Sequence, residues 1–303
     1  MQDGGIGSVR ALLAALPRSS NIAERRARLD TVASADGVAP DIAFTAATIG
    51  GSAAEWSLAP GSDDGKVLLY FHGGGYCSGS ILSHRGMVSE TGRAAKVRTL
   101  ALGYRLAPES PFPAALDDAV SAYEFLLSEG FAGESIAIGG DSAGGGLTLA
   151  TLIRLRDGGR PLPACAWLVS PWVDLEMTGA TLDSKADVDP LIHRDYLEEL
   201  ASNYVGAGDR RDPLISPIHA DLAGLPPMLV QVGTAETLLD DAVAIAGRLG
   251  SADVAVDLEI WPHMIHAWHL WSRRVREGRQ AVVSAGAFLR GHLSRIDDGR
   301  GPG

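Results

Sequence analysis

The 303-residue sequence predicts an α/β fold built around a mostly parallel central sheet. Two observations support this prediction. Short apolar runs typical of buried strands recur along the chain, and segments with apolar residues at helical spacing separate them. Strands that alternate with helices form right-handed βαβ units, and such units build a parallel sheet.

Strands and helices follow one another regularly after residue 41. Short alternating runs over 42–58, interrupted by Gly50 and Gly51, predict an antiparallel pair at one edge of the sheet. Buried strands are then predicted at 67–71, 97–102, 135–138, 164–169, 228–232 and 254–260. Helices are predicted between and after them at 84–95, 114–127, 147–156, 238–249 and 280–293.

Two segments lie outside this alternation. Helices are predicted at 11–16 and 22–33, and the second has a basic side formed by Arg25, Arg26 and Arg28. Such a helix either packs on the domain or covers a pocket, and the pattern alone favours packing.

The other segment is the connection of more than 50 residues between the strands at 164–169 and 228–232, with a helix predicted at 194–204. A connection of this length usually has a function, so we expect a cap that packs with the N-terminal helices.

Charge and cysteine content exclude several classes of protein. The formal net charge of −11 argues against a nucleic-acid partner, which requires a basic face. Cys77 and Cys165 are the only cysteines, too few for a disulfide framework or a thiolate metal site, and they favour a reducing compartment. The sequence has no signal-peptide pattern and no uninterrupted run of about 18 apolar residues. We therefore expect a cytoplasmic protein with no membrane partner.

The central motif is G-D-S-A-G at 140–144, between a predicted strand and a predicted helix. In a G-x-S-x-G turn of this kind the serine adopts a strained backbone conformation, and only small neighbours avoid a clash. The helix N-terminus directs backbone N–H groups towards an anion that forms beside Ser142. Ser142 is therefore a candidate nucleophile, although the motif alone also fits a glycine-rich turn with an incidental serine.

A second glycine-rich segment, H-G-G-G at 72–75, directly follows the predicted strand at 67–71. Consecutive glycines let backbone N–H groups approach a ligand closely. In a serine hydrolase, a glycine-rich loop at this place supplies one half of the oxyanion hole, and the residue after the nucleophile supplies the other half. We therefore predict that the backbone N–H groups of Gly74, Gly75 and Ala143 donate hydrogen bonds to the oxyanion. A flexible turn or a phosphate-binding loop is the alternative, but the sequence has no G-x-x-x-x-G-K-[ST] motif. His72 is expected to brace the loop rather than act as a base.

The base is expected downstream of Ser142 in a Ser…acid…His order. Three histidines lie in segment 261–269, after the last predicted strand. His266 lies between Ile265 and Trp268 in the chain, a setting that keeps an imidazole partly dry and neutral near pH 7. His266 is therefore the predicted base, and His263 and His269 are expected to be ordinary surface histidines.

Three carboxylates compete for the role of the acid that orients the base. Glu236 lies in the loop after the predicted strand at 228–232, whereas Asp240 and Asp241 fall in the first turn of the next helix. Acidic residues in a first helical turn are already explained by the helix dipole. The sequence therefore favours Glu236, with Asp240 as the alternative.

Taken together, these residues resemble the bacterial hormone-sensitive-lipase-like carboxylesterases (family IV esterases) of the α/β-hydrolase fold. The resemblance spans roughly residues 65–270 and rests on H-G-G-G at 72–75, Y-R-L-A-P-E at 104–109, G-D-S-A-G-G at 140–145, S-P-W-V-D-L at 170–175, D-P-L-I-S-P at 212–217, G-T-A-E-T-L at 233–238 and M-I-H at 264–266. The family's acid usually stands fourth in G-x-x-D-x-L, the position of Glu236 here. Glutamate instead of aspartate is the one departure from that pattern.

The resemblance also implies a domain organisation. Residues 1–40 would contribute helices to a cap, 41–175 and 218–297 would form the catalytic domain, and 176–217 would be an inserted part of the cap. Independently of the resemblance, the end of the sequence predicts a disordered tail at 298–303. Because the family often pairs through the sheet edge and the last helix, the resemblance favours a homodimer.

The predicted function is hydrolysis of small short-chain acyl esters by a serine carboxylesterase that needs no cofactor and no metal. Ser142, Glu236 and His266 would form the catalytic triad. A lactonase, an amidase or an acyltransferase could use the same triad. A non-catalytic binding protein is a further alternative, since the gibberellin receptors resemble this family but lack a working triad, whereas all three residue types are present here.

Overall fold

The computed structural model describes residues 5–15, 19 and 21–293. The core is an eight-stranded sheet in the order β1-β2-β4-β3-β5-β6-β7-β8. The β2 strand pairs antiparallel with both β1 and β4, and all other pairs are parallel, as the sequence predicts. The strands are β1 (Ala43–Ile49), β2 (Ser52–Leu58), β3 (Asp63–Phe71), β4 (Val97–Gly103), β5 (Ile136–Asp141), β6 (Cys165–Val169), β7 (Met228–Gly233) and β8 (Val256–Trp261).

Nine α-helices are seen in the described part of the chain. They are α1 (Gly5–Ala14), α2 (Ile22–Ala33), α3 (Ile81–Ala95), α4 (Ala114–Ser128), α5 (Ala143–Asp157), α6 (Thr181–Ser184), α7 (Arg194–Val205), α8 (Leu239–Ser251) and α9 (Arg276–His292). In this same part of the chain, none of the helices is both long and apolar enough to cross a membrane.

Helices cover both faces of the sheet, and β3 illustrates how. Leu69 and Phe71 point into a core shared with α4, α5 and α8, whereas Leu68 and Tyr70 point into a core shared with α3 and α9. Side chains alternate between the two faces of a strand, so a strand covered on both sides must be apolar throughout. This explains the continuous run Val67 to Phe71.

Four helices (α1, α3, α5 and α9) begin earlier than their sequence pattern predicts, and local contacts explain two of them. The first is predicted at 11–16 but spans Gly5–Ala14, because Val9 and Leu13 lie one turn apart and pack into a buried cluster with Trp268. This tertiary packing outweighs the low helix propensity of the early glycines. Residue 16 lies outside the described residues, as does the predicted tail 298–303. Helix α3 begins at Ile81 because Ser80 and Ser83 form a capping box.

The long connection between β6 and β7 contacts the N-terminal helices. Arg10 Nη1 of α1 donates a hydrogen bond to Val188 O at 2.7 Å. Arg25 of α2 forms an ion pair with Glu199 of α7, and its guanidinium lies 5.5 Å from the centre of the Tyr196 ring. Both N-terminal helices therefore pack on the inserted segment.

Two glycines of α9 give a matched test of how closely α9 packs on α3. A Cβ at Gly286 would lie 2.5 Å from Ala94 Cβ and 2.6 Å from Ala94 C, whereas a Cβ at Gly291 would have no heavy atom within 4 Å. We expect Gly286→Ala to lower the free energy of unfolding by about 1–3 kcal/mol through overpacking. Gly291→Ala is expected to be neutral or to raise it by up to about 1 kcal/mol. Urea denaturation of both variants measures the difference, and equal stabilities would contradict the close contact.

Candidate active site

Ser142 lies at the sharp turn between β5 and α5. Its backbone has φ 54° and ψ −121°, a conformation that is strained for a residue with a side chain. The turn is held by Ser142 N, which donates to Val169 O at 2.8 Å, and by Trp172 N, which donates to Ser142 O at 3.0 Å. A Cβ at Gly144 would lie 2.0 Å from Phe71 O, so the motif requires glycine there. The strain expected from the sequence is therefore present.

Ser142 lines a cavity of about 480 Å³ that also contains His266, Gly74 and Gly75. Most of the remaining wall is apolar and comes from both N-terminal helices, from α7 and the segment before it, and from residues after His266. These wall residues are Leu13, Leu29, Val32, Leu191, Ile192, Leu197, Leu200, Leu270 and Trp271. The sequence pattern of α2 favours packing alone, but α2 also lines the cavity.

The H-G-G-G loop lies beside Ser142 and is braced through His72. The His72 ring stacks on Tyr104 with ring centres 4.2 Å apart, and Tyr104 Oη donates to His72 O at 2.7 Å. Burial and the neighbouring His84 lower the pKa of His72 to about 3, so this imidazole is neutral. Among the described residues, no backbone carbonyl accepts a hydrogen bond from Gly74 N or Gly75 N. Both N–H groups are free to bind an anion.

A buried carboxylate without a predicted role, Asp141, connects this loop to the serine turn. Asp141 Oδ1 accepts hydrogen bonds from Tyr70 Oη at 2.9 Å and from Gly73 N at 3.0 Å. Asp141 Oδ2 lies 3.1 Å from His84 Nε2. Burial acts to raise the pKa of Asp141, but His84 and Tyr70 outweigh it and the pKa is lowered. Its position inside the G-D-S-A-G motif is the one sequence feature that could have pointed to this role.

Glu236 is the carboxylate that contacts the predicted base. Its Oε2 lies 3.0 Å from His266 Nδ1, and its Oε1 accepts a hydrogen bond from Ser170 Oγ at 2.9 Å. Ser170 is a residue of the site that the sequence pattern alone does not indicate. It begins the S-P-W motif with φ 43° and also accepts a hydrogen bond from Ala267 N.

The two competing aspartates face the connection between β6 and β7 instead. Asp240 Oδ2 accepts a hydrogen bond from Thr181 N, and Asp241 Oδ2 accepts hydrogen bonds from Val173 N and Asp174 N. Burial raises the pKa of Asp241 to about 7. These contacts give both aspartates a role in anchoring the segment between β6 and β7.

The Glu236–His266 pair is buried, and its partners set the proton affinity of the imidazole. Burial alone would lower the pKa of His266, but the hydrogen bond and charge of Glu236 outweigh it, so the pKa is raised. Burial also raises the pKa of Glu236, and the hydrogen bond from His266 offsets part of this rise. His266 therefore becomes a free base at a higher pH than an ordinary histidine.

The other two histidines of this segment differ from each other. His263 is exposed, as the sequence predicts. The prediction for His269 is wrong, because its side chain is fully buried, with Nε2 3.0 Å from Gln231 Oε1. Burial lowers its pKa to about 3. The short 3-10 turn Trp268–Trp271 directs this ring towards Trp167 in the core, which the spacing of the histidines did not indicate.

One group of side chains in the described residues has the spacing of metal ligands: Asp174, Glu176 and His219 each place one atom within 4.8 Å of the others. These atoms already have partners. Asp174 accepts hydrogen bonds from Glu176 N, Thr178 N and Thr178 Oγ1, and His219 Nε2 lies 2.9 Å from Glu176 Oε2. The group therefore forms a hydrogen-bonded loop whose ligand atoms are occupied by protein donors.

The chain is similar in sequence and structure to known α/β-hydrolases and esterases. A family model described as α/β-hydrolase fold matches residues 68–270. An acetyl-hydrolase of Streptomyces hygroscopicus is 48% identical over 243 residues, which are 80% of this chain and 81% of that protein. The crystal structure of an esterase from the bacterial hormone-sensitive lipase family superposes with a TM-score of 0.92 at 45% identity, covering 95% of this chain and 97% of the other. The structure of EstE5 soaked with p-nitrophenyl butyrate superposes with a TM-score of 0.91 at 41% identity, covering 96% and 99%.

The contact between Glu236 and His266 leads to a prediction for two variants. Glu236→Gln removes the negative charge that raises the His266 pKa, and Gln can hold the imidazole in the wrong tautomer. We expect kcat/KM for an ester to fall by about 10²–10⁴. We also expect the acidic limb of the pH profile to move to lower pH, because His266 then loses its proton more readily.

Asp240→Asn is the matched control, because it also neutralises one carboxylate in the same loop–helix junction. It should keep most of the activity and the pH profile of the unmodified protein. Initial rates from pH 5 to 9 measure both effects. A Glu236→Gln variant with near-full activity would contradict the role assigned to Glu236. Loss of activity in Asp240→Asn would then indicate that Asp240 is the acid.

Proposed function

The chain belongs to the bacterial hormone-sensitive-lipase family of α/β-hydrolase esterases, and we propose that it hydrolyses small carboxylic esters with Ser142 as the nucleophile. One observation carries this proposal. A single cavity holds Ser142 at a helix N-terminus, the Glu236-bonded His266, and the two free N–H groups of Gly74 and Gly75. This set contains a nucleophile, a base, an orienting acid and oxyanion donors.

We propose the following acylation step. His266 Nε2 removes the proton of Ser142 as Oγ attacks the ester carbonyl carbon. The negative charge that develops on the carbonyl oxygen is stabilised by the N–H groups of Gly74, Gly75 and Ala143. Loss of one donor of this type costs about 2.7–4 kcal/mol of transition-state stabilisation. His266 then gives its proton to the leaving alcohol, and the acyl group remains on Ser142.

Deacylation repeats these roles with water. His266 removes a proton from water, which attacks the acyl carbonyl, and the same three N–H groups stabilise the second oxyanion. His266 then returns its proton to Ser142 and the acid leaves. Glu236 stabilises the charged imidazole in both steps, and the Ser170 hydroxyl keeps Glu236 directed at Nδ1.

A short acyl chain is the proposed substrate preference. The cavity volume of about 480 Å³ suits a small ligand, and its wall is mostly apolar. One relative is named an acetyl-hydrolase, and a similar structure was soaked with p-nitrophenyl butyrate. We propose that residues 1–40 and 176–217 act as a cap that limits this volume over a catalytic domain of 41–175 and 218–297. The cavity walls contributed by α1, α2 and α7 support that division.

We further propose a homodimer that forms through β8. This strand ends the sheet order, so among the described residues its outer edge has no strand partner. Leu258 and Ile260 on β8 are 37% and 46% exposed. An exposed edge with apolar side chains favours pairing with a second strand.

A cytoplasmic location remains our proposal. Cys77 and Cys165 are both buried free thiols, which is usual in a reducing compartment. Fractionation of the producing cells, with activity measured in each fraction, tests it.

The nucleophile and the acyl preference can be tested together. We expect Ser142→Ala to lower kcat/KM for p-nitrophenyl esters by about 10³-fold or more, because the variant cannot form the acyl-enzyme. In the unmodified protein, kcat/KM should be highest for acetyl to butyryl esters and should fall for long chains that exceed the cavity. Turnover that survives Ser142→Ala unchanged would refute the proposed mechanism.

The proposed dimer can be tested with two lysine variants. Ile260→Lys places a charge on the exposed sheet edge and should convert the dimer to a monomer in sedimentation velocity. Leu58→Lys is the control, because Leu58 is 39% exposed but lies on β2, towards the opposite end of the sheet. A monomeric unmodified protein, or a dimer that Ile260→Lys leaves intact, would contradict this interface.

A further inference from the structure

Three arginines of α2 have different surroundings. Arg25 forms an ion pair with Glu199, and Arg26 forms one with Glu109 at 2.7 Å. Arg28 is half-buried, and within the described residues it forms no ion pair and no side-chain hydrogen bond. A cation that is partly removed from water without a compensating carboxylate is unfavourable for the folded protein. Arg28 therefore lacks the carboxylate partner that Arg25 and Arg26 have.

Arg28 faces the cavity that contains Ser142. Residues 25, 28, 29 and 32 lie on one side of α2, and all four line this cavity. Two other charged residues of the wall have partners. Arg25 pairs with Glu199, and Asp141 contacts Tyr70, Gly73 and His84. Most of the remaining wall is apolar. Among the described residues that line the cavity, Arg28 is thus a positive charge without a carboxylate partner.

We propose that Arg28 binds an anionic group of the substrate, so that the preferred substrates are small esters with a carboxylate or a similar anion remote from the scissile bond. This inference rests on the proposed ester hydrolysis. A guanidinium pairs with a carboxylate through two parallel hydrogen bonds. The surrounding apolar wall strengthens such a contact relative to water.

Burial supports the same assignment. Burial lowers the pKa of Arg28, and no carboxylate counteracts this effect as Glu199 and Glu109 do for Arg25 and Arg26. A bound carboxylate would supply the missing counter-charge. The net charge of −11 repels anions from the protein as a whole, so recognition has to come from this local contact.

The test compares anionic esters with neutral esters of matched length. In the first pair, 6-acetoxyhexanoate carries its carboxylate on the alcohol side of the ester, and hexyl acetate is the neutral counterpart. In the second pair, monoethyl adipate carries its carboxylate on the acyl side, and ethyl hexanoate is the neutral counterpart. Acid release is followed in a pH-stat. We expect Arg28→Gln to lower the anionic-to-neutral ratio of kcat/KM by about tenfold for at least one pair, mainly through KM. Arg28→Lys should retain part of the preference.

Arg154→Gln is the control, because it makes the same charge change at an exposed position of α5 that does not line the cavity. It should leave both ratios unchanged. Neutral-ester turnover by Arg28→Gln verifies that this variant is folded. Ratios that Arg28→Gln changes by less than about twofold would overturn the proposal.

Binding without turnover separates this proposal from the proposed chemistry. In a Ser142→Ala background, calorimetry should give a Kd for 6-acetoxyhexanoate or monoethyl adipate that rises about tenfold when Arg28→Gln is added. An unchanged Kd would refute the anion site. A tenfold change with no ester turnover by the unmodified protein would support the anion site but contradict the proposed hydrolysis.

Discussion

The geometry of the site depends most on the hydrogen bonds that the buried Asp141 carboxylate accepts. It accepts hydrogen bonds from Gly73 N in the H-G-G-G loop and from Tyr70 in β3, and it contacts His84 in α3. These three contacts compensate the charge that burial would otherwise make unfavourable. Because Asp141 directly precedes Ser142, one residue couples the position of the proposed nucleophile to that of the proposed oxyanion donors.

Helix α2 contacts the chain beside the H-G-G-G loop and also lines the cavity. Arg26 Nε donates a hydrogen bond to Cys77 O at 2.8 Å, just beyond the H-G-G-G loop, and Arg26 also pairs with Glu109. The neighbouring Leu29 and Val32 line the cavity. The same helix thus supports the loop from outside and shapes the space in which a substrate would lie.

Much of the fold and of the candidate site could be predicted because the signals are local in sequence. Buried strands are continuous apolar runs, and the turn at Ser142 requires glycines on both sides, so both leave a pattern within a few residues. Glu236 and Asp240 could not be separated in this way, since both follow β7 and the direction of a loop side chain depends on tertiary contacts such as that with Ser170. The burial of His269 and the free charge of Arg28 also depend on residues distant in sequence.

The central claim is that Ser142 forms a covalent acyl-enzyme. Reaction with diethyl p-nitrophenyl phosphate, followed by peptide mass spectrometry, tests it most directly, because a serine activated by His266 attacks the phosphorus and retains the diethylphosphoryl group. We expect one adduct per chain, on the peptide that contains Ser142, with loss of esterase activity in proportion to labelling. An adduct at another residue that abolishes activity, or full activity after Ser142 is labelled, would contradict it.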